Sequence, residues 1–363
     1  MSVLSTVEPS GKEEARSIAS ILRALGSRSL RNASLVGPLV LLVLMMIGFT
    51  LTTRSFLTVS NLTSVVQNNS VIAMLGIALT LVILLGEIDL AFPGIVLMSA
   101  ASTGLFFAGT AVGIPILGDM SLGGGPVVQA LVVVALGLLL GLLTGFLVGR
   151  MRVPSLIASL GVLLFAQGWA FYWLHGKAAF DLPTWVISLG KSKTLGVPHI
   201  VICAAAIAIV IHLMLTRTII GRYIFMSGAN RNAANLSGID TKRLLLFVFS
   251  LAGLIAAIAG IAYAGNYGSV SAQSGGELLL PTFAAVVLGG TSLLGGAGGV
   301  KNTIIGVLIF AVLDNGLLLL NIDVFIRPLM QGVVLIVAVV LNVALSKLAD
   351  YANGRSALQR SQT

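Results

Sequence analysis

Apolar residues run along this chain in long unbroken blocks. The blocks cover 35–53, 65–86, 90–109, 127–149, 156–174, 199–216, 244–265, 278–293, 302–320 and 329–346. Most are close to the roughly 20 residues a helix needs to cross a hydrocarbon core of about 30 Å. In lipid, a spanning segment must bond its own backbone, which makes a helix the expected form of each block. The pattern predicts an all-α membrane protein with about ten transmembrane helices and both termini on one side. Two blocks are imperfect. Asp89 and Pro93 interrupt the chain between the second and third, and the eighth is short and runs into Gly295, Gly296, Gly298 and Gly299. Broken helices are tolerated at membrane depth only where protein or a water-filled cavity covers them. The sequences Leu85-Gly86-Glu87-Ile88-Asp89-Leu90 and Leu288-Gly289-Gly290-Thr291-Ser292-Leu293 echo one another, as interrupted segments in transporter halves do.

Composition agrees. The 363 residues are 57% hydrophobic and 9% charged, with a mean hydropathy of +1.06. Soluble domains carry roughly 25% charged residues, so a soluble enzyme, a disordered chain and a nucleic-acid module are excluded. There are 42 glycines, in excess of the usual share of roughly 7% and expected where helices pack closely or break. The net charge of +9 has a topological origin. With the N-terminus inside, 16 Lys and Arg fall in cytoplasmic segments, and five (Arg54, Lys177, Lys191, Lys193 and Arg327) fall outside. Cytoplasmic loops carry this bias. No nucleic-acid partner is needed to explain it.

Residues 1–34 form a cytoplasmic segment with no signal-peptide core. Ile18, Ile21, Leu22 and Leu25 recur at helical spacing beside Arg16 and Arg23, consistent with either an amphipathic helix on the inner membrane face or a plain soluble tail. Residues 347–363 form a cytoplasmic tail. The single cysteine, Cys203, excludes an intrachain disulfide. No metal ligand set is offered, and His175, His199 and His212 are scattered. Gly295 to Lys301 departs from the phosphate-binding loop, because Val300 separates Gly299 from Lys301 and Asn302 follows. The chain is expected to bind no cofactor and to catalyse nothing itself.

Polar groups inside spans are costly and are functional candidates. Gln67, Asn68 and Asn69 lie near the outer end of the second span, and Gln167 in the outer half of the fifth. Asp314 is 13 residues beyond Lys301, roughly 20 Å of helix at 1.5 Å per residue, which places it and Asn315 towards the outer side. These groups either line a solute path or bond to one another or to backbone between helices. Trp169, Tyr172 and Trp173 fit an interfacial aromatic belt or a sugar-stacking surface. Glu87 and Asp89, like Gly289, Gly290 and Thr291, mark the breaks, as gate elements or as anchors.

The segment 217–243 is the longest cytoplasmic connection. Ala233, Ala234 and Leu236 favour a short helix, which Gly238 can end in a left-handed conformation. Its core, Gly228-Ala229-Asn230-Arg231-Asn232-Ala233-Ala234-Asn235-Leu236-Ser237-Gly238-Ile239, resembles the coupling loop of ribose/xylose-type carbohydrate ABC importer permeases. The resemblance extends through residues 85–90, 284–293 and 313–316, in order, from about residue 60 to 340. Ala229 replaces a family glycine, Asn232 stands where the family has Glu, and Ala91-Phe92-Pro93-Gly94 replaces the usual S-V-G-S.

The resemblance implies a permease domain, 35–346, in a bacterial inner membrane, with Gly228, Asn230, Ala233, Ala234, Leu236, Ser237 and Gly238 in the loop that couples to an ABC ATPase subunit. That partner would use ATP and Mg. An extracytoplasmic sugar-binding protein, a second permease copy (a homodimer) and membrane lipid complete the implied partners. An ion-coupled secondary transporter of a small polar solute is the competing expectation.

Overall fold

The computed structural model describes residues 33–105, 112–114, 118–120, 125–323, 325–333 and 336. The expected N-terminal amphipathic helix, the C-terminal tail and most of the tenth block lie outside them.

Helices dominate the described residues. The first three blocks become α1 (Ala33–Thr52), α2 (Val59–Leu84) and α3 (Phe92–Leu105). Next come α4 (Pro126–Gly149), α5 (Ser155–Leu174), α6 (Thr184–Lys191), α7 (His199–Arg217), α8 (Ile219–Ala229), α9 (Arg231–Leu236) and α10 (Thr241–Tyr267). A 3-10 turn (Gly276–Leu278) leads into α11 (Leu279–Leu288), and α12 (Val300–Leu319) follows. Residues 327–333, which open the tenth block, are helical. Two small antiparallel hairpins pair Val112–Ile114 with Gly118–Met120 and Lys193–Thr194 with Val197–Pro198. Among the described residues, six helices (α2, α4, α5, α7, α10 and α12) are long and apolar enough to cross a membrane, and three further apolar helical stretches are shorter.

The core is organised around α2 and α10. The second of these packs on α2, α3, α4 and α6, while α2 also meets α7, α11 and α12. Without a hydrophobic drive between helices in lipid, close backbone approach supplies much of the attraction. Gly137, Gly141, Gly145 and Gly149 repeat every four residues along one face of α4 and press against α10. A Cβ at Gly145 would stand 2.9 Å from Leu246 Cα, and one at Gly149 would stand 2.8 Å from Lys242 O.

The connections after α2, α4, α7 and α11 gather at one end. That end carries Arg150, Arg152, Arg217, Arg222, Arg231, Lys242, Arg243 and Lys301 and is termed the basic end. The opposite, far end carries the start of α2 and the close of α10 and α12.

The segment 217–243 holds two helices where one was expected. The Thr218 hydroxyl caps α8 by accepting from Gly221 N–H (3.3 Å), and Asn230 Oδ1 caps α9 by accepting from Ala233 N–H (2.9 Å). Gly238 takes φ +83° after α9.

Candidate functional site

At the basic end, α2 and α11 terminate in the same way. Gly86 N–H donates to Ile83 O (2.8 Å) and Glu87 N–H to Val82 O (3.3 Å). Gly290 N–H donates to Val287 O (2.9 Å) and Thr291 N–H to Val286 O (3.3 Å). This double bond pattern around a left-handed residue favours glycine, and Gly86 and Gly290 have φ of +75° and +87°. The structural equivalence is therefore Gly86 with Gly290, one residue away from the sequence echo.

These two helix ends meet each other and the α8–α9 elbow. Gly296 N–H donates to Leu84 O (3.0 Å). A Cβ at Gly228 would collide with the Leu84 carbonyl, and one at Gly295 would lie 2.8 Å from Gly86 N and 2.9 Å from Gly228 O. A third glycine, Gly289, packs on the backbone of Asn302, whose amide donates back to Gly289 O (2.9 Å). The contact is backbone on backbone, with no side-chain layer to absorb relative movement.

One ion pair ties the elbow down. Arg231 bonds Glu87 Oε1 at 2.6 Å, with the two side chains 42% and 13% exposed. Asp89 lies between α2 and α3 and is buried. Its Oδ1 accepts from Ala91 N–H at 2.8 Å, and burial pushes its carboxyl up to about 6. Nearby, Ser155 Oγ accepts from Ile88 N–H (3.2 Å). Pro93 sits in the first turn of α3, where a missing N–H costs nothing. Thr291 is buried against Gly298.

The coupling-loop residues divide by direction. Gly228 points into the junction, Asn230 caps α9 and Ala234 is buried. Ala233, Ser237 and Gly238 are exposed, and Leu236 is 90% exposed. An apolar side chain held out on a rigid basic-end helix is a ready contact for a partner.

The far end differs in kind. Asn61 and Asn315 exchange side-chain amide bonds, each 2.9 Å. Gln331 Nε2 donates to Asp314 Oδ1 at 2.9 Å. Gln67 Nε2 donates to Gly190 O (3.1 Å) and to Asn266 Oδ1 (3.2 Å). The Tyr263 hydroxyl donates to Glu277 Oε1 (2.6 Å), and Tyr267 lies against the Tyr263 ring with centroids 4.5 Å apart. Amides, two carboxylates and an exposed tyrosine thus share one end of the bundle. They offer planar donors and acceptors with an aromatic face, the chemistry that meets a polyol.

Asn266, Tyr267 and Glu277 were absent from the sequence reading. Tyr267 ends a span and reads there as a belt residue. Asn68 is exposed on α2, and Asn69 Nδ2 bonds Val65 O (2.9 Å) within its own helix. Gln167 stands apart on α5, which packs on α3 and α4. Trp169, on the same helix, is packed against Phe165, Tyr172 and Trp173. Among the described residues there is no group of three or more His, Cys, Asp and Glu that could hold a metal ion.

Residues 61–339 match the family model described as "Branched-chain amino acid transport system / permease component". The chain is 34% identical over 309 residues to the ribose import permease protein RbsC of Escherichia coli (strain K12), an alignment covering 83% of this chain and 91% of the relative. RbsC of Bacillus subtilis (strain 168) is 31% identical over 309 residues, with 85% and 92% covered. The autoinducer 2 import system permease protein LsrC of Escherichia coli O157:H7 is 31% identical over 301 residues, with 83% and 84% covered. No solved structure matches. The chain belongs to this permease family, in its ribose/xylose-type ABC importer branch, and is a multi-pass inner-membrane protein.

Proposed function

We propose that this chain is the transmembrane subunit of an ATP-driven importer and forms the path for a monosaccharide such as ribose or xylose. An extracytoplasmic binding protein delivers the sugar at the far end. A separate ATPase subunit grips α9 at the basic, cytoplasmic end, and a second permease copy completes the path. Gln67, Asn68, Asn69, Asp314 and Asn315 meet the solute, together with Tyr267 and Glu277. Gln167 contributes from a separate helix.

One observation carries the reading: the α8–α9 elbow touches both helix breaks through glycine backbone. A displacement of α9 by a closing ATPase dimer reaches the ends of α2 and α11 as a rigid-body shift, because tightly packed contacts of this kind are not continuously deformable. Asn232, at the family's Glu position, brings no carboxylate to that interface, leaving the apolar Leu236 as its principal anchor.

Reconstitution tests it. Liposomes holding this chain with its ATPase and binding protein accumulate ribose or xylose when ATP is supplied inside the lumen that faces the ATPase. The chain alone, under a proton or sodium gradient, accumulates none. Accumulation under the gradient alone would replace this function with ion-coupled transport.

A further inference from the structure

Beside the junction, bounded by Glu87, the α4–α5 turn, α9 and the start of α10, lies a cavity of about 400 Å³ that the transport mechanism leaves unused. Its wall carries three cations, Arg152, Arg231 and Lys242, against one carboxylate, Glu87. Arg231 already engages that carboxylate. Arg152 and Lys242 make no ion pair among the described residues, so the cavity holds two uncompensated positive charges. The N-terminus of the 20-residue α5 also opens onto it through Pro154 and Ser155. Its capping residue, Pro154, supplies no side-chain acceptor. Helix N-termini favour negative charge. Val148 and Leu245 add an apolar part to the lining.

We infer that this cavity binds a phosphate group, and that its source is the headgroup of an anionic phospholipid. The cations and the α5 terminus meet the phosphate, while Val148 and Leu245 receive the glycerol and upper acyl carbons. Basic pockets between helices at the cytoplasmic boundary recognise lipid headgroups by this chemistry. Asn235 and Arg231 of α9 line the same cavity, so a bound headgroup braces the coupling helix against the α4–α5 turn.

The test uses the full chain in neutral detergent micelles, with thermal unfolding followed as phosphatidylglycerol, phosphatidylcholine or inorganic phosphate is titrated. Phosphatidylglycerol should raise the melting temperature and phosphatidylcholine should not. Arg152→Asn combined with Lys242→Gln should weaken half-saturation roughly 25-fold, and Lys242→Gln alone roughly fivefold, at the usual contribution of each cation near an anionic surface. Asparagine suits the left-handed backbone at position 152 (φ +59°). Arg222→Gln, at the same end but off the cavity, should keep the wild-type response. A matching rise with inorganic phosphate upholds the phosphate site and makes its source a soluble anion. Equal responses to both lipids and phosphate in the wild type overturn the inference, as does an undiminished response in the double variant. Release of the ATPase subunit by that variant, with no response of the wild type to lipid or phosphate, would assign the cavity to a partner carboxylate and overturn it equally.

Discussion

The two halves of α2 are built on opposite rules. From Val71 to Leu84 every side chain is buried, and the helix ends in glycine-to-glycine contact with α8 and the α11 break. From Val59 to Asn69 the helix exposes Ser60, Ser64 and Asn68 at intervals of four, one stripe of its surface. Polar groups against hydrocarbon are expensive, and the proposed function assigns that stripe to the solute path or a partner. The basic half is buried along its length and closes on backbone only at its end, whereas the far half carries polar side chains on its surface. Transport in this scheme consists of exchanging the two conditions, with the α8–α9 elbow as the lever.

The largest expected break in that contrast comes from Gly228→Ala. The added methyl strikes the Leu84 carbonyl, and overpacking of this kind costs about 1–3 kcal/mol. Sugar uptake in reconstituted vesicles should fall by about one to two orders of magnitude. Gly161→Ala, on an open face of α5, should leave uptake unchanged. Asp314→Ala comes next, with uptake reduced roughly tenfold, the scale of a lost hydrogen bond to a charged group. Its abundance in the membrane should match the wild type on an immunoblot, separating solute contact from folding.

Asp89→Asn should act on stability and spare transport. The folded carboxyl is raised to about 6, so the native state holds the proton more tightly than the unfolded chain. Its contribution is complete below about pH 4 and is lost as pH rises through 6. Asparagine removes the charge while keeping the acceptor for Ala91 N–H, so melting at pH 7.5 should show a gain of about 2–3 kcal/mol. The gain should vanish below about pH 4. The smallest effect belongs to Glu87→Gln. A partly exposed pair is worth at most about 1 kcal/mol, and uptake should fall by about threefold, with Arg231→Gln adding little to it.

Much of the basic half was legible in the sequence. Asp89 with Pro93, and the Gly295–Gly299 run, announced breaks because such residues have few other uses in a span. Gly238 announced the end of α9 because a left-handed cap is a local property. What stayed hidden depends on distant partners. That Gly228 faces Leu84, or that four glycines of α4 face α10, follows from tertiary packing, although the four-residue spacing of the α4 ladder was available as a signal. The far end was half legible. Gln67, Asp314 and Asn315 stood out as polar groups in apolar blocks. Asn61 precedes its block and Glu277 lies in a connection, so neither carried the mark of an intramembrane polar residue. Only the fold brings Asn61 to Asn315 and Glu277 to Tyr263.

Substituted-cysteine labelling measures the contrast directly. The one native cysteine is replaced (Cys203→Ala), and Asn68→Cys or Ala78→Cys is added as a reporter. In the chain without its ATPase, a membrane-impermeant maleimide should label Asn68→Cys from the extracytoplasmic side and leave Ala78→Cys unlabelled from either side. Addition of the ATPase and ATP should bring Ala78→Cys into reach. Labelling of Ala78→Cys in the resting chain at the rate of Asn68→Cys would contradict a sealed basic half.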